Sequence, residues 1–253
     1  MKLEALTNYL DNLLNLIDYA AYDISLNGLQ IGKPDSQVKK IAFCVDCSLE
    51  AITHAANAKA DLLVVHHGLF WGKPIAITAN HYNRVAAAIN SNLSLYAAHL
   101  PLDAHPIYGN NAQIAMALQL TNVEPFGLYH GKKIGFKGIL PSEKTVSELL
   151  ALLGINNSEG LTILPFGKKE ISSVAVVSGG AAKEVNQAIS EGIDCYITGE
   201  ASHEVYHSCK ESNINLIALG HYYSETFGVK ALASHLQKQL GLETIFIDLP
   251  TKL

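Results

Sequence analysis

At 253 residues, 49% hydrophobic and 16% charged, the chain carries enough apolar material for one large core or two smaller ones. A net charge of −5 with no basic run argues against a nucleic-acid backbone as the primary partner. No apolar stretch approaches the roughly 20 residues of a membrane span, and an amphipathic N-terminus carrying Glu4 and Asp11 is not a secretory signal. The expected location is cytoplasmic.

Leu3, Leu6, Leu10, Leu13, Leu14 and Ile17 recur at helical spacing, predicting a helix over 2–17. Asn27-Gly28-Leu29-Gln30-Ile31-Gly32 then reads as a Gly-punctuated loop or hairpin. A strand at 41–46 precedes a helix capped by Ser48. The run Asp61-Leu62-Leu63-Val64-Val65, short and closed by His66-His67-Gly68, reads as a buried strand. A loop with Phe70 and Trp71 follows, then a helix at 80–91, a strand at 93–98, the loop Leu100-Pro101-Leu102-Asp103, and a helix from Gly109 to about 119. The pattern restarts with strand 133–140 and a helix after Pro141-Ser142. Strands at 173–178, 193–198, 214–219 and 243–249 then alternate with helices at 181–191, 202–211 and 224–240. Such alternation predicts βαβ units and a largely parallel sheet.

The second half reads as a copy of the first. Ile41–Asp46 lies without gaps over Val174–Gly179, which sets Ile52 on Val185, Asp61 on Asp194, and His66-His67 on Gly199-Glu200. At a second offset Leu95–His99 lies over Ile217–His221, and Asp103 falls on Glu225. Each half thus ends a strand with His-x-x-x-acid. Lobes of about 1–125 and 126–253 are expected. Of the four cysteines, Cys44 and Cys195 sit in apolar runs as small buried hydrophobes. The lone Cys44-x-x-Cys47 has no matching second pair.

His66, His67, His99 with Asp103, and His221 with Glu225 all stand at strand ends, so they can converge on one crevice. Imidazoles and carboxylates gathered there repel or compete unless they share a partner, and two divalent ions are the simplest one. The mixed donor set suits a first-row ion such as zinc, iron, manganese or nickel. His203 and His207, four apart near Glu200, are candidates for a supporting shell or a ligand contact. His54, His81, His130 and His235 read as ordinary surface residues.

At these residues the chain resembles the NIF-three-like family of dinuclear-metal proteins, whose members are often labelled GTP cyclohydrolase type-two homologues. The resemblance is carried by Asn27-Gly28-Leu29-Gln30, His66-His67-Gly68-Leu69-Phe70-Trp71 and Ala98-His99-Leu100-Pro101-Leu102-Asp103. It continues through Ile197-Thr198-Gly199-Glu200 with His203, and Gly220-His221 with Glu225. It implies an α/β fold of two similar intertwined lobes in three αβα layers, with the metals between them. The implied ligands are His66, His67, Asp103, His221 and Glu225, the last bridging, with His99 as an extra ligand or proton carrier. The Asp103 to His221 spacing matches the short form, which forms ring-shaped homohexamers. A metal-dependent hydrolase of a nucleotide- or pterin-like small molecule is the first expectation, with Trp71, Phe70 and Tyr222 able to stack on the ring. The alternatives are a metal carrier in cofactor assembly without turnover, and a structural ring in which metal serves assembly.

Overall fold

The computed structural model of the chain describes residues 1–155 and 160–253. Among them no helix is long and apolar enough to cross a membrane. The residues form two compact units, Met1–Leu102 with Gly228–Leu249, and Asp103–Phe227 with Pro250–Leu253.

The first unit opens with α1 (Leu3–Leu13), whose Leu3, Leu6 and Leu10 are fully buried, as their spacing on one helical stripe requires. Asn15 ends that run in the left-handed region at φ 52°, and a 3-10 turn follows at Leu16–Tyr19. Then come β1 (Gly28–Ile31), β2 (Lys40–Asp46), α2 (Leu49–Asn57), β3 (Leu62–His67), α3 (Ala79–Asn90) and β4 (Ser94–Ala97). Ser48 caps α2 by accepting from the Ala51 amide at 3.0 Å. The short α4 (Leu100–Ala104) leads the chain out of the unit.

The second unit contains α5 (Asn110–Ala117), β5 (Thr121–Tyr129), β6 (Lys132–Lys144), α6 (Val146–Leu152), β7 (Thr162–Pro165) and β8 (Ile171–Val177). It continues with α7 (Val185–Ser190), β9 (Cys195–Thr198), α8 (Val205–Glu211), β10 (Asn215–Ala218) and α9 (His221–Ser224). Then α10 (Thr226–Leu240) returns the chain to the first unit, where β11 (Glu243–Phe246) joins the sheet. The halves expected at about 1–125 and 126–253 follow the repeat. Gly228–Leu249 falls in the first unit, where β11 takes its hydrogen bonds beside β2.

Each unit has its own mixed sheet. The first runs β1-β4-β3-β2-β11 and the second β5-β6-β8-β9-β10-β7. The expected parallel pairing holds for β2, β3 and β4 and for β8, β9 and β10. It fails at the flanks, where β1, β5, β6 and β7 pair antiparallel. For β5 and β6 the reason is local. His130 and Gly131, both at positive φ (47° and 90°), make a two-residue turn that only an antiparallel hairpin can use. β6 also runs through Pro141 and Ser142, so α6 starts later, at a capping box between Thr145 and Glu148.

The repeat read from the sequence recurs bond by bond. Ile41 faces Leu62 across the first parallel pair, and their repeat mates Val174 and Cys195 face each other across the second. Asp61 accepts from the amides of Lys39 and Lys40 at 2.8 and 2.9 Å. Its mate Asp194 accepts from Ser172 and Ser173, both at 3.1 Å. In each case one carboxylate at the foot of a strand fixes the start of its neighbour.

Candidate metal centre

In the first unit β3 ends on His66-His67, and β4 ends two residues before His99. Adjacent strand residues point to opposite faces, yet at this end of β3 the two imidazole centroids lie only 4.7 Å apart. His99 stands 5.1 and 5.6 Å from the same two rings. One ring nitrogen of each of the three lies within 4.8 Å of the others.

The opposite nitrogen of each ring is held by an oxygen. His66 Nδ1 donates to the Ala98 carbonyl at 3.0 Å, His67 Nδ1 to Asp46 at 2.8 Å, and His99 Nδ1 to Asp23 at 2.9 Å. These bonds set the tautomer so that Nε2 carries the lone pair, the arrangement that prepares histidine for a cation. Asp46 reaches its ring because it sits opposite His67 in the β2–β3 register. Asp23 also accepts from the amides of Ser25 and Leu100 and from the Asn27 side chain. Burial pushes the Asp23 pKa up, but the bonds from His99, Asn27 and Ser25 outweigh it, so the carboxyl stays below its usual range.

The Asn27–Gln30 stretch has a structural task beside this cluster. Asn27 accepts from the His99 amide at 2.7 Å, and Gln30 accepts from the Leu69 amide at 2.8 Å. Asn27, just before β1, and Gln30, within it, thereby brace the two histidine-bearing loops. Trp71 covers the cluster, edge-on to His99 at 4.9 Å and tilted against His67 at 5.9 Å, its indole N–H tied to the Gly68 carbonyl. Phe70 packs instead against the first unit's core, while Trp71 borders these rings.

The second unit brings its own donors together. His221, at the start of α9, places Nε2 3.2 Å from Glu225 and donates from Nδ1 to Glu200. The Glu225 bond, opposed by burial and aided by Glu200, raises the His221 pKa to about 9. Carboxylate oxygens of Asp103 and Glu225 lie within 4.8 Å of each other, and both residues are buried. Asp103 accepts from Asn110 and from the Ser178 hydroxyl, each at 2.9 Å. Asn111 fastens the same corner by accepting from the Ser178 amide at 2.6 Å and donating to the Ile134 carbonyl at 2.7 Å. Gly179 adopts φ +68°, and a Cβ there would overlap Glu225 Oε1. That left-handed glycine is the space the carboxylate occupies.

Imidazoles with pre-set tautomers in the first unit, and buried carboxylates with His221 in the second, are donors of the kinds a borderline divalent ion takes. The structure thus contains groups that could hold metal, built from His66, His67, His99, Asp103, His221 and Glu225. Sequence reasoning passed over Asp23, Asp46, Gly179 and the Asn110-Asn111 pair. Only Asp46 and Gly179 left a signal, since the repeat sets one on the other. His203 and His207 join no ligand group among the described residues, and His207 packs against the Tyr206 ring. His235 binds Tyr9 at 2.6 Å. Cys44 and Cys47 are buried free thiols whose pKa values burial pushes up to about 11 and about 12, which removes the thiolate a redox motif needs.

The family model Duf34/NIF3 (NGG1p interacting factor 3) matches residues 1–252. A Deinococcus radiodurans protein named GTP cyclohydrolase 1 type 2 homolog is 46% identical over 91% of this chain and 88% of its own length. One of the same name from Archaeoglobus fulgidus is 44% identical over the whole of both chains. The solved structure of TTHA1606 from Thermus thermophilus superposes with a TM-score of 0.90 at 36% identity, covering both chains fully. The clustered histidines, the paired acids and this end-to-end similarity lead to one conclusion: the chain belongs to the Duf34/NIF3 family.

Proposed function

We propose that His66, His67, Asp103, His221 and Glu225 together hold two divalent ions, with Glu225 shared between them, and that the chain is a metal-dependent hydrolase. Its substrate class is a nucleotide- or pterin-like heterocycle, in keeping with the name its relatives carry. The observation that carries the reading is the triple anchoring of His66, His67 and His99, each ring fixed through Nδ1 by a separate oxygen. When bound, the ions would supply Lewis acidity and lower the pKa of water. The chain's own groups do the rest. Asp23 keeps His99 oriented to hold or pass a proton at Nε2. Glu200 orients His221, and Trp71 offers a ring face beside His67 and His99 for a planar substrate to lie against. Assembly into a homo-oligomer, a ring-shaped hexamer, is part of the same reading and is checked by light scattering.

Elemental analysis of the metal-reconstituted protein tests the centre. Two ions per chain are expected, with loss in His66→Ala and in Glu225→Ala while both variants stay folded by circular dichroism. A Glu225→Ala variant that keeps both ions overturns the shared-ligand role. A hydrolysis screen over nucleotides, pterins and their phosphates then compares wild type with His99→Ala, which should keep its metal and lose turnover. Ions that exchange within seconds, with no substrate turned over, would replace the hydrolase with a carrier.

A further inference from the structure

Next to the histidine cluster, and wholly within the first unit, lies an open recess of about 470 Å³ lined by Asp11, Asn12, Asn15, Leu16, Ser25 and Asn27, among others. Its volume falls within the roughly 300–1,000 Å³ of small-molecule pockets. It shares a wall with the candidate centre, because Asp23 and Asn27, which also line it, are the residues that hold the His99 ring and the His99 amide.

The hydrogen-bond inventory of the lining is one-sided. Asn12 spends its amide N–H on the Asn8 carbonyl at 2.7 Å, and Asn15 spends its own on Asp18 at 2.6 Å. Their side-chain oxygens accept no hydrogen bond among the described residues, and remain as acceptors. Asp11 takes one hydroxyl, from Tyr96 at 2.8 Å, which leaves further acceptor capacity on its carboxylate. Asn27 is committed at both ends, to Asp23 and to the His99 amide. Ser25 is 7% exposed, and its hydroxyl has no partner among the described residues. Leu16, Ile17, Ala20 and Leu26 supply apolar surface between these polar groups. A wall of acceptors favours a ligand whose leading edge is N–H donors.

We infer that this recess is the base-recognition pocket of the site, taking the amino and ring N–H edge of an aminopyrimidinone ring, as found in guanine and pterin, on Asp11 and the Asn12 and Asn15 oxygens. A carboxylate matches two parallel N–H groups, and the apolar residues receive the ring faces. The inference deepens the heterocycle part of the proposed function, and is independent of its metal part.

Calorimetric titration of the metal-loaded full chain with guanosine, pterin and inosine tests it, since inosine differs from guanosine only in lacking the 2-amino group. Guanosine and pterin should bind about tenfold or more tighter than inosine, the worth of one hydrogen bond to a charged acceptor. Asp11→Asn should weaken guanosine by a similar factor and erase its advantage over inosine. Asp11 also holds the buried Tyr96, so Asn12→Lys, an exposed change that sets an ammonium at the recess, gives a second measure and should weaken guanosine equally. Equal affinity for guanosine and inosine, no binding of either, or variants that bind guanosine as wild type does overturns the inference. Ions per chain are counted in every sample. Missing metal with guanosine still preferred would sink the metal reading alone.

Discussion

Gly179 offers the sharpest test of how the second unit holds its acids. Replacing it with alanine has two consequences that a paired variant separates. The first is conformational, because φ of +68° lies in the left-handed region, where a Cβ costs about 1–2 kcal/mol. Gly192 has φ of +69° with nothing within 4 Å of an added Cβ, so Gly192→Ala carries that penalty alone. For a chain of this size each 1 kcal/mol lowers Tm by about 2–4 °C, so both variants should lose roughly 2–8 °C. The second consequence belongs to Gly179 only. Its new Cβ would overlap Glu225 Oε1 and sit 3.5 Å from His221 Nε2, and Glu225, at 2% exposure, has little room to swing aside. Gly179→Ala should therefore melt below Gly192→Ala and lose divalent-ion affinity about 10–100-fold, the effect of disturbing a ligand's support. Differential scanning calorimetry and chelator competition read the two quantities. Equal melting of the two variants, with Gly179→Ala binding zinc as wild type does, would refute the crowding argument.

Asp46→Ala removes the acceptor of the His67 Nδ1 proton from a half-exposed position. It should weaken zinc by about 10–100-fold in chelator competition with little change in Tm. Asp194→Ala strips the shared acceptor from the Ser172 and Ser173 amides and should cost about 2 kcal/mol in urea unfolding at pH 7. Burial pushes the Asp194 pKa up, but the bonds from Lys168 and the two amides more than compensate, and it lies below 3.8. A depressed native pKa gives stability that is complete above the unfolded value and fades as pH falls through the native one. The wild-type and Asp194→Ala urea midpoints should therefore draw together below about pH 4. A gap that stayed constant down to pH 2 would show that the charge of Asp194 plays no part.

The strand ends were readable because the chemistry there is written in residue type. An apolar run that stops on His66-His67 announces both the strand and the donors. The repeat was readable too, since Asp61 and Asp194 serve the same pair of neighbouring amides in each unit. What escaped was set by partners distant in sequence. Asp23 looks like any loop acid until the fold brings it to His99, 76 positions away. β5 and β7 lack a clean alternation because much of each strand is only partly covered, so their pairing, not their composition, makes them strands. His221 begins a helix where a strand end was expected, and Gly220 at φ 94° makes that turn possible. The Asn12 and Asn15 oxygens became informative only once their amide N–H partners were known.

The position of β11 bears on how the chain is made. β2, whose residues Ile41–Val45 are fully buried, borders β3 on one side and β11 on the other. During translation at about 5–20 residues per second, roughly 10–40 s separate the emergence of these two neighbours. For that interval an apolar strand edge faces water or a chaperone. A ribosome stalled before residue 243 would hold a chain whose first sheet ends on an adhesive rim, and nascent-chain crosslinking should find that rim occupied until the last strand arrives.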